Sequence, residues 1–161
     1  MEPALLAAAG WLEAVGLRQW ASATPWVYPA ANVLHVFGLA MLVGGIGIVD
    51  LRIAGLWRSL PLAALNKALT PVAVAGLAVL VVSGVTLFAA DGTTLSRSAI
   101  FQWKLLLIAA ALANVVLFRM WWQPRITARA TDLPLRARAL AVLSLLLWVV
   151  IGTLGRLIAY V

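Results

Sequence analysis

The chain has 161 residues, of which 65% are hydrophobic and 11% charged, with a net charge of +7 and no cysteine. A water-soluble domain carries roughly 25% charged residues, so a soluble globular fold is excluded, and with it disulfides, Cys-ligated zinc and iron–sulfur clusters. A mean hydropathy of +1.05 makes lipid the natural solvent, and the basic excess lies mostly in short loops, where it reads as membrane topology and not as nucleic-acid binding.

In chain order, residues 1–28 come first. "EPALLAAAGWLEAVGLRQWASA" is apolar but interrupted by Glu2, Glu13 and Arg18. A signal peptide is the rival reading, since "ASA" at Ala21–Ala23 resembles a cleavage site, but the segment starts with an acid and lacks a basic leader. The preferred reading is a helix lying at the outer membrane surface, with Trp11, Trp20 and Trp26 at headgroup depth. Pro25 and Pro29 in "TPWVYP" then break the helix before the first span.

Four segments reach the roughly 20 apolar residues that a helix needs to cross a bilayer core: about 30–50, 68–90, 100–118 and 139–160. They are rich in Ala and Leu and show no strand alternation, and helices satisfy their own backbone groups in hydrocarbon. "SLP" at Ser59–Pro61 breaks the first loop, and "DGTTLSRS" at Asp91–Ser98 reads as a polar turn. "QP" at Gln123–Pro124 reads as the end of span three, and "TDLP" at Thr131–Pro134 as the cap and first turn of span four. The expected fold is an all-α integral membrane four-helix bundle with an N-terminal interfacial helix, residues 1–28 outside and 29–161 within the transmembrane domain.

Charge orients the bundle. Arg52, Arg58, Lys67, Arg119, Arg125, Arg129, Arg136 and Arg138 put eight of the twelve basic residues in the two loops of one side. The positive-inside rule makes that side cytoplasmic and both termini external, periplasmic in a bacterium. Small residues mark the packing faces: Gly38 and Gly45 beside His35, then Gly76, Ser83, Thr86 and Ala90, then Gly152, Gly155 and Arg156 with Trp148.

His35, Lys104 and Arg156 fall at one level in the outer half of three spans. A charged side chain within a span costs about 2.5–3.5 kcal/mol on insertion scales. Lys104 and Arg156 are long enough to snorkel to the headgroups, and His35 has a bland role as a neutral ring hydrogen-bonded to Thr86 or Ser83. The functional reading is a binding pocket, because a neutral imidazole ligates metal or haem iron and two cations pair with anionic groups. Haem b with His35 as axial ligand is one candidate and a copper ion another. Each lacks a second protein ligand, since Met41 lies on another face and Met1 and Met120 are remote. Asp50, Arg52 and Asn114 form a secondary inner-side cluster, and the favoured reading there is a loop salt bridge from Asp50 to a neighbouring Arg. His35 and Asp50 are roughly 22 Å apart along the helix, with an apolar sequence between them, which argues against a transport path.

The stretches "YPAANVLHVFGLAMLVGGIGIVDLRIAG", "FQWKLLLIAAALANVVLFR" and "GRLIAY" resemble an uncharacterised family of small bacterial four-span membrane proteins, and are more distantly similar to copper-resistance-type membrane domains. The resemblance covers roughly Trp26 to Tyr160. It implies the four-span fold and a bacterial inner membrane, and it points to His35, Asp50, Arg52, Lys104 and Arg156; it carries no established activity. That family's third span often ends in Phe-His, whereas Phe118 here precedes Arg119.

No nucleophile–base pair, phosphate loop or metalloprotease motif is present, so independent catalysis is not expected. The functional expectation is a membrane binding module for a haem-like or other anionic redox cofactor or a metal, in electron transfer or metal handling. The alternative is a non-catalytic accessory subunit of a larger membrane complex or a homo-oligomer.

Overall fold

The computed structural model describes residues 1–127 and 133–158, except the side chains of 125 and 127. Among these described residues six helices follow one another: α1 (Glu2–Ala14), α2 (Leu17–Ala23), α3 (Val27–Ala54), α4 (Leu62–Arg97), α5 (Ala99–Thr127) and α6 (Leu135–Leu157). Four of them, α3 to α6, are long and apolar enough to cross a membrane. The chain is therefore a multi-pass all-α membrane protein. One end of the bundle carries α1 and α2; the other, the arginine end, carries the α3–α4 and α5–α6 connections.

The helices overrun the expected spans. Pro29 does not break α3, because it falls in the first turn, where no intrahelical N–H is needed. The "DGTTLSRS" stretch is not a turn. The chain kinks at Asp91 (φ −136°, ψ 35°) and continues helically to Arg97. Within that extension Ser96 Oγ donates to the Gly92 carbonyl at 2.6 Å, and the Gln102 amide caps the Ser96 carbonyl at 2.9 Å. A single residue, Ser98, links α4 to α5. At 36 residues α4 is about 54 Å long, well beyond a bilayer core of about 30 Å, so its ends project. Likewise Pro124 does not end α5, which continues to Thr127. Pro134 precedes α6 as its N-cap instead of lying in its first turn. Thr131 and Asp132 of the expected cap, Arg129 of the loop and Tyr160 at the expected end of span four lie outside the described residues.

The N-terminal segment is two helices, not one. Gly16 adopts φ 80° and breaks it, a left-handed conformation that costs glycine little. Both helices pack against the Asp91–Arg97 extension of α4 and its approach. Leu12, Ala21 and Ala89 form the buried contact. Gly92 allows the close fit: a Cβ there would lie 2.9 Å from the Ala9 Cβ.

The tightest packing in the bundle is between α3 and α4. A Cβ on Gly76 would sit 2.6 Å from Leu42 N and 2.7 Å from Gly38 O, and one on Gly38 would sit 2.9 Å from Gly76 O. A Cβ on Gly45 would lie 3.0 Å from Leu69 O. The two backbones touch over two turns, as small residues permit in lipid, where packing and not solvent exclusion joins helices. Beside this seam, Leu42, Ala73, Ala111, Trp148 and Ile151 form the central core.

Gly76→Ala is therefore expected to destabilise the fold by about 1–3 kcal/mol, because the obstacles are backbone atoms that cannot swing away. Gly44→Ala, where a Cβ meets nothing within 4 Å, should change it by less than about 0.5 kcal/mol. Unfolding in mild detergent, with both variants measured alongside the parent, checks the contrast.

Candidate functional site

Two polar sites are built into the bundle, one toward each end. At the α1–α2 end, His35 lies half-buried on α3 against α4. Its Nδ1 is 2.9 Å from Ser83 Oγ. Of the two partners open to His35 in the sequence, Thr86 turns away and bonds Val82 O in its own helix. The Ser83 hydroxyl has one proton, and its shortest contact, 2.6 Å, is to Val79 O. With its proton spent there, Ser83 Oγ can only accept from His35, so Nδ1 carries the hydrogen. In the neutral ring Nε2 is then a free lone pair. Gly84 leaves room for the imidazole, since a Cβ at that position would lie 3.3 Å from the ring Cε1.

Lys104 of α5 reaches the same level. Its charge is close enough to act on His35, and its ammonium sits over Gly155 of α6, where a Cβ would be 3.3 Å from Nζ. Among the described residues Lys104 has no hydrogen bond and no ion pair. His35 and Lys104 thus stand within reach of each other's charge. Arg156 follows Gly155 but is exposed, so it joins this pair only as a neighbour. Met41 packs against Gly76, eight residues or about 12 Å along α4 from Gly84. No second metal ligand therefore approaches His35 from α3. No group of three His, Cys, Asp or Glu residues able to hold a metal occurs among the described residues.

The second site lies toward the arginine end, and it departs from the favoured sequence reading. Asp50 is not an interfacial residue in a loop salt bridge. It lies one turn inside α3 and is only 5% exposed. Arg52 points the other way and ties down the α3–α4 loop, with Nε on Leu60 O and Nη2 on Arg58 O, each at 2.8 Å. It lines a separate basic pocket of about 300 Å³ with Arg58 and Arg138. The physical reason is burial. The α3–α4 seam turns Asp50 toward α6, whereas Arg52, two residues on, faces the loop.

Asn114 does join Asp50. Both line a cavity of about 100 Å³ between α3, α4, α5 and α6, together with Ser144 and Trp148 of α6. The Asn114 side-chain amide donates to Leu140 O at 3.1 Å. That bond fixes its orientation, since a carbonyl can face only the NH₂ group, and it leaves Oδ1 without a partner. It also occupies the carbonyl that Ser144 would use. Ser83, Thr86, Ser96 and Thr153 each donate to the carbonyl four residues back. For Ser144 that carbonyl is Leu140 O, and Ser144 Oγ instead lies beside the Asp50 carboxylate. Asp50 Oδ2, Asn114 Oδ1, Ser144 Oγ and Trp148 Nε1 all lack partners. A buried polar atom left unmatched costs about 1–3 kcal/mol, so the four outweigh the single bond from Asn114 to Leu140.

Ser144 and Trp148 were not singled out as site residues in the sequence. Their signal is their spacing, because Ser144, Trp148, Gly152 and Gly155 follow one another by four, four and three residues, a single helix face. No family model, curated protein or solved structure matches the chain.

The hydrogen-bond logic at His35 has a direct readout. His35 is the one histidine in the chain, so ring ¹⁵N spectra of labelled protein in detergent contain one imidazole. They should show a protonated Nδ1 and an unprotonated Nε2, and Ser83→Ala should abolish the fixed tautomer. A protonated Nε2 beside a bare Nδ1 would reverse the assignment.

Proposed function

We propose that the protein is a membrane-embedded binding module of the bacterial inner membrane, whose outer-leaflet site takes the anionic group of a lipid-soluble cofactor for electron transfer. The observation that carries this reading is the pair itself: an ammonium with no ion pair among the described residues, within electrostatic reach of an imidazole whose Nε2 has no hydrogen-bond partner there. A cationic donor and a neutral nitrogen acceptor, both at hydrocarbon depth, suit a ligand that brings an anionic oxygen and an electron-pair acceptor. Haem b has both features. His35 Nε2 would ligate its iron, Lys104 would meet a propionate, and Arg156 is near enough in sequence to Gly155 to reinforce that end. A bare copper ion suits the site less well, because Lys104 repels a cation and one imidazole makes a poor cage.

Orientation follows from the arginines. Both connections at the arginine end carry multiple Arg, which favours their retention in the cytoplasm. His35 and Lys104 are then in the outer half, and α1 and α2 lie on the periplasmic side.

Protein purified in mild detergent should show a Soret band that His35→Ala removes and Lys104→Met weakens. If the preparation is colourless, the haem form falls, and organic extraction then tests the broader reading. A quinone or anionic lipid retained by the parent and depleted in Lys104→Met supports an anion-binding site. Equal extracts from parent and both variants overturn it. The cysteine-free chain also permits a clean topology assay. Thr24→Cys should react with a membrane-impermeant maleimide in intact spheroplasts, and Ser59→Cys only after lysis. The opposite pattern would invert the orientation.

A further inference from the structure

The cavity around Asp50 is separate from the His35–Lys104 pair and has its own chemistry. We propose that it is a binding site for a small monovalent cation of the alkali class, held by Asp50 Oδ2, Asn114 Oδ1 and Ser144 Oγ.

Four observations converge on this occupant. First, the donors are a carboxylate, an amide carbonyl and a hydroxyl, all hard oxygens, and all three residues are at least 95% buried. Their unmatched atoms are these same oxygens. Hard oxygen donors select alkali and alkaline-earth ions over the softer transition metals. Second, the site contains one carboxylate. A single negative charge is neutralised by a single positive one, whereas calcium sites draw on 6–8 oxygens and typically several carboxylates. Third, the three residues border a cavity of about 100 Å³, and their unmatched oxygens are themselves closed to a water-sized probe. Trp148 Nε1, also buried and without a partner, belongs to the same lining. Fourth, the donors come from three different helices, α3, α5 and α6. Asn114 and Ser144 are both committed by the same event, the capture of Leu140 O by the Asn114 amide.

The rival occupants are water and a proton on Asp50, since a buried carboxyl can neutralise itself by protonation, and neither makes stability depend on which alkali ion is present. The cation on the cavity lining among the described residues is Arg119, which is exposed at the rim and makes no hydrogen bond to Asp50. Thr70, also on the lining, donates its hydroxyl proton to Asn66 Oδ1 at 3.1 Å within α4.

The test is thermal unfolding of the full-length protein in mild detergent at fixed ionic strength, with sodium, potassium or N-methylglucamine chloride. Binding to the native state raises Tm by mass action, and a saturable rise of about 3 °C or more in one of the alkali salts over N-methylglucamine is expected. Asp50→Asn should abolish the rise and Ser144→Ala should reduce it. Ser144→Ala removes one oxygen from a site that keeps its charge, so it remains informative if Asp50→Asn does not fold. His35→Ala should leave the response intact, which separates this inference from the cofactor reading. Equal Tm in all three salts overturns the proposal, whether water or a swung-in Arg119 is what fills the cavity. So does a rise that persists undiminished in Ser144→Ala and Asp50→Asn.

Discussion

The contact between the backbones of α3 and α4 at Gly38 and Gly76 determines much of what the rest of the bundle can do. In lipid, helices gain nothing from hiding apolar side chains, since the acyl chains are equally apolar. Association depends on close approach. Here the approach is close enough that a single methyl group at Gly76 would meet Leu42 N at 2.6 Å. Once that seam is closed, the rotation of α3 is fixed. His35, three residues before Gly38, is presented to Ser83, seven residues after Gly76. Asp50, five residues beyond Gly45, is carried toward α6. Both polar sites are consequences of one helix–helix register.

The two sites differ in how completely the protein satisfies them. Around His35 the hydrogen-bond chain runs from Nδ1–H to Ser83 Oγ to Val79 O and closes within α3 and α4. Such an interhelical bond is worth only about 0.6 kcal/mol in membranes, so its main effect is orientation: it sets which nitrogen is left open. Around Asp50 the reverse holds. The Asn114 amide takes a carbonyl that α6 would have used for Ser144, and three oxygens on three helices are left buried without partners. Helical membrane proteins tolerate polar groups in their interior where those groups pair or line a hydrated cavity. The first site is an instance of pairing and the second of lining.

The fold was legible in the sequence because the signals for it are long and redundant. Four apolar runs, the clustering of arginine and the glycine faces each point to the same bundle. The helix ends were less legible. Asp91, Gly92 and two Thr read as a turn by composition, but α1 and α2 dock on that segment and Gln102 caps it, so tertiary contacts override the local preference. Pro29 and Pro124 mislead because the effect of proline depends on its position in the turn, which composition does not reveal. At the site level, His35 and Lys104 were singled out because an ionisable residue in an apolar span is conspicuous. Asp50 was noticed but misjudged, since it stands two residues from an arginine and near a span end. Its burial depends on α3 extending to Ala54 and on the α6 face that carries Ser144. Ser144 looks like any of the hydroxyl residues that bond their own helix. Only the competition for Leu140 O separates it from Ser83, Thr86, Ser96 and Thr153.

The separation of the two sites also bears on what kind of membrane protein this is. A conduit would need polar groups spaced through the thickness of the bundle. Between His35 and Asp50, the face of α3 that meets α4 carries Gly38, Leu42 and Gly45, packed directly against α4 backbone and side chains. That is where the structure is tightest, and a hydrated path through it would have to part the contact on which both sites depend. An occupant at one end therefore does not reach the other by diffusion through the seam. Any communication between them would pass through α3 as a rigid element, because His35 and Asp50 sit on the same helix and both register against the same two glycines. This argues for two static polar positions on a common spine, and against an alternating gate.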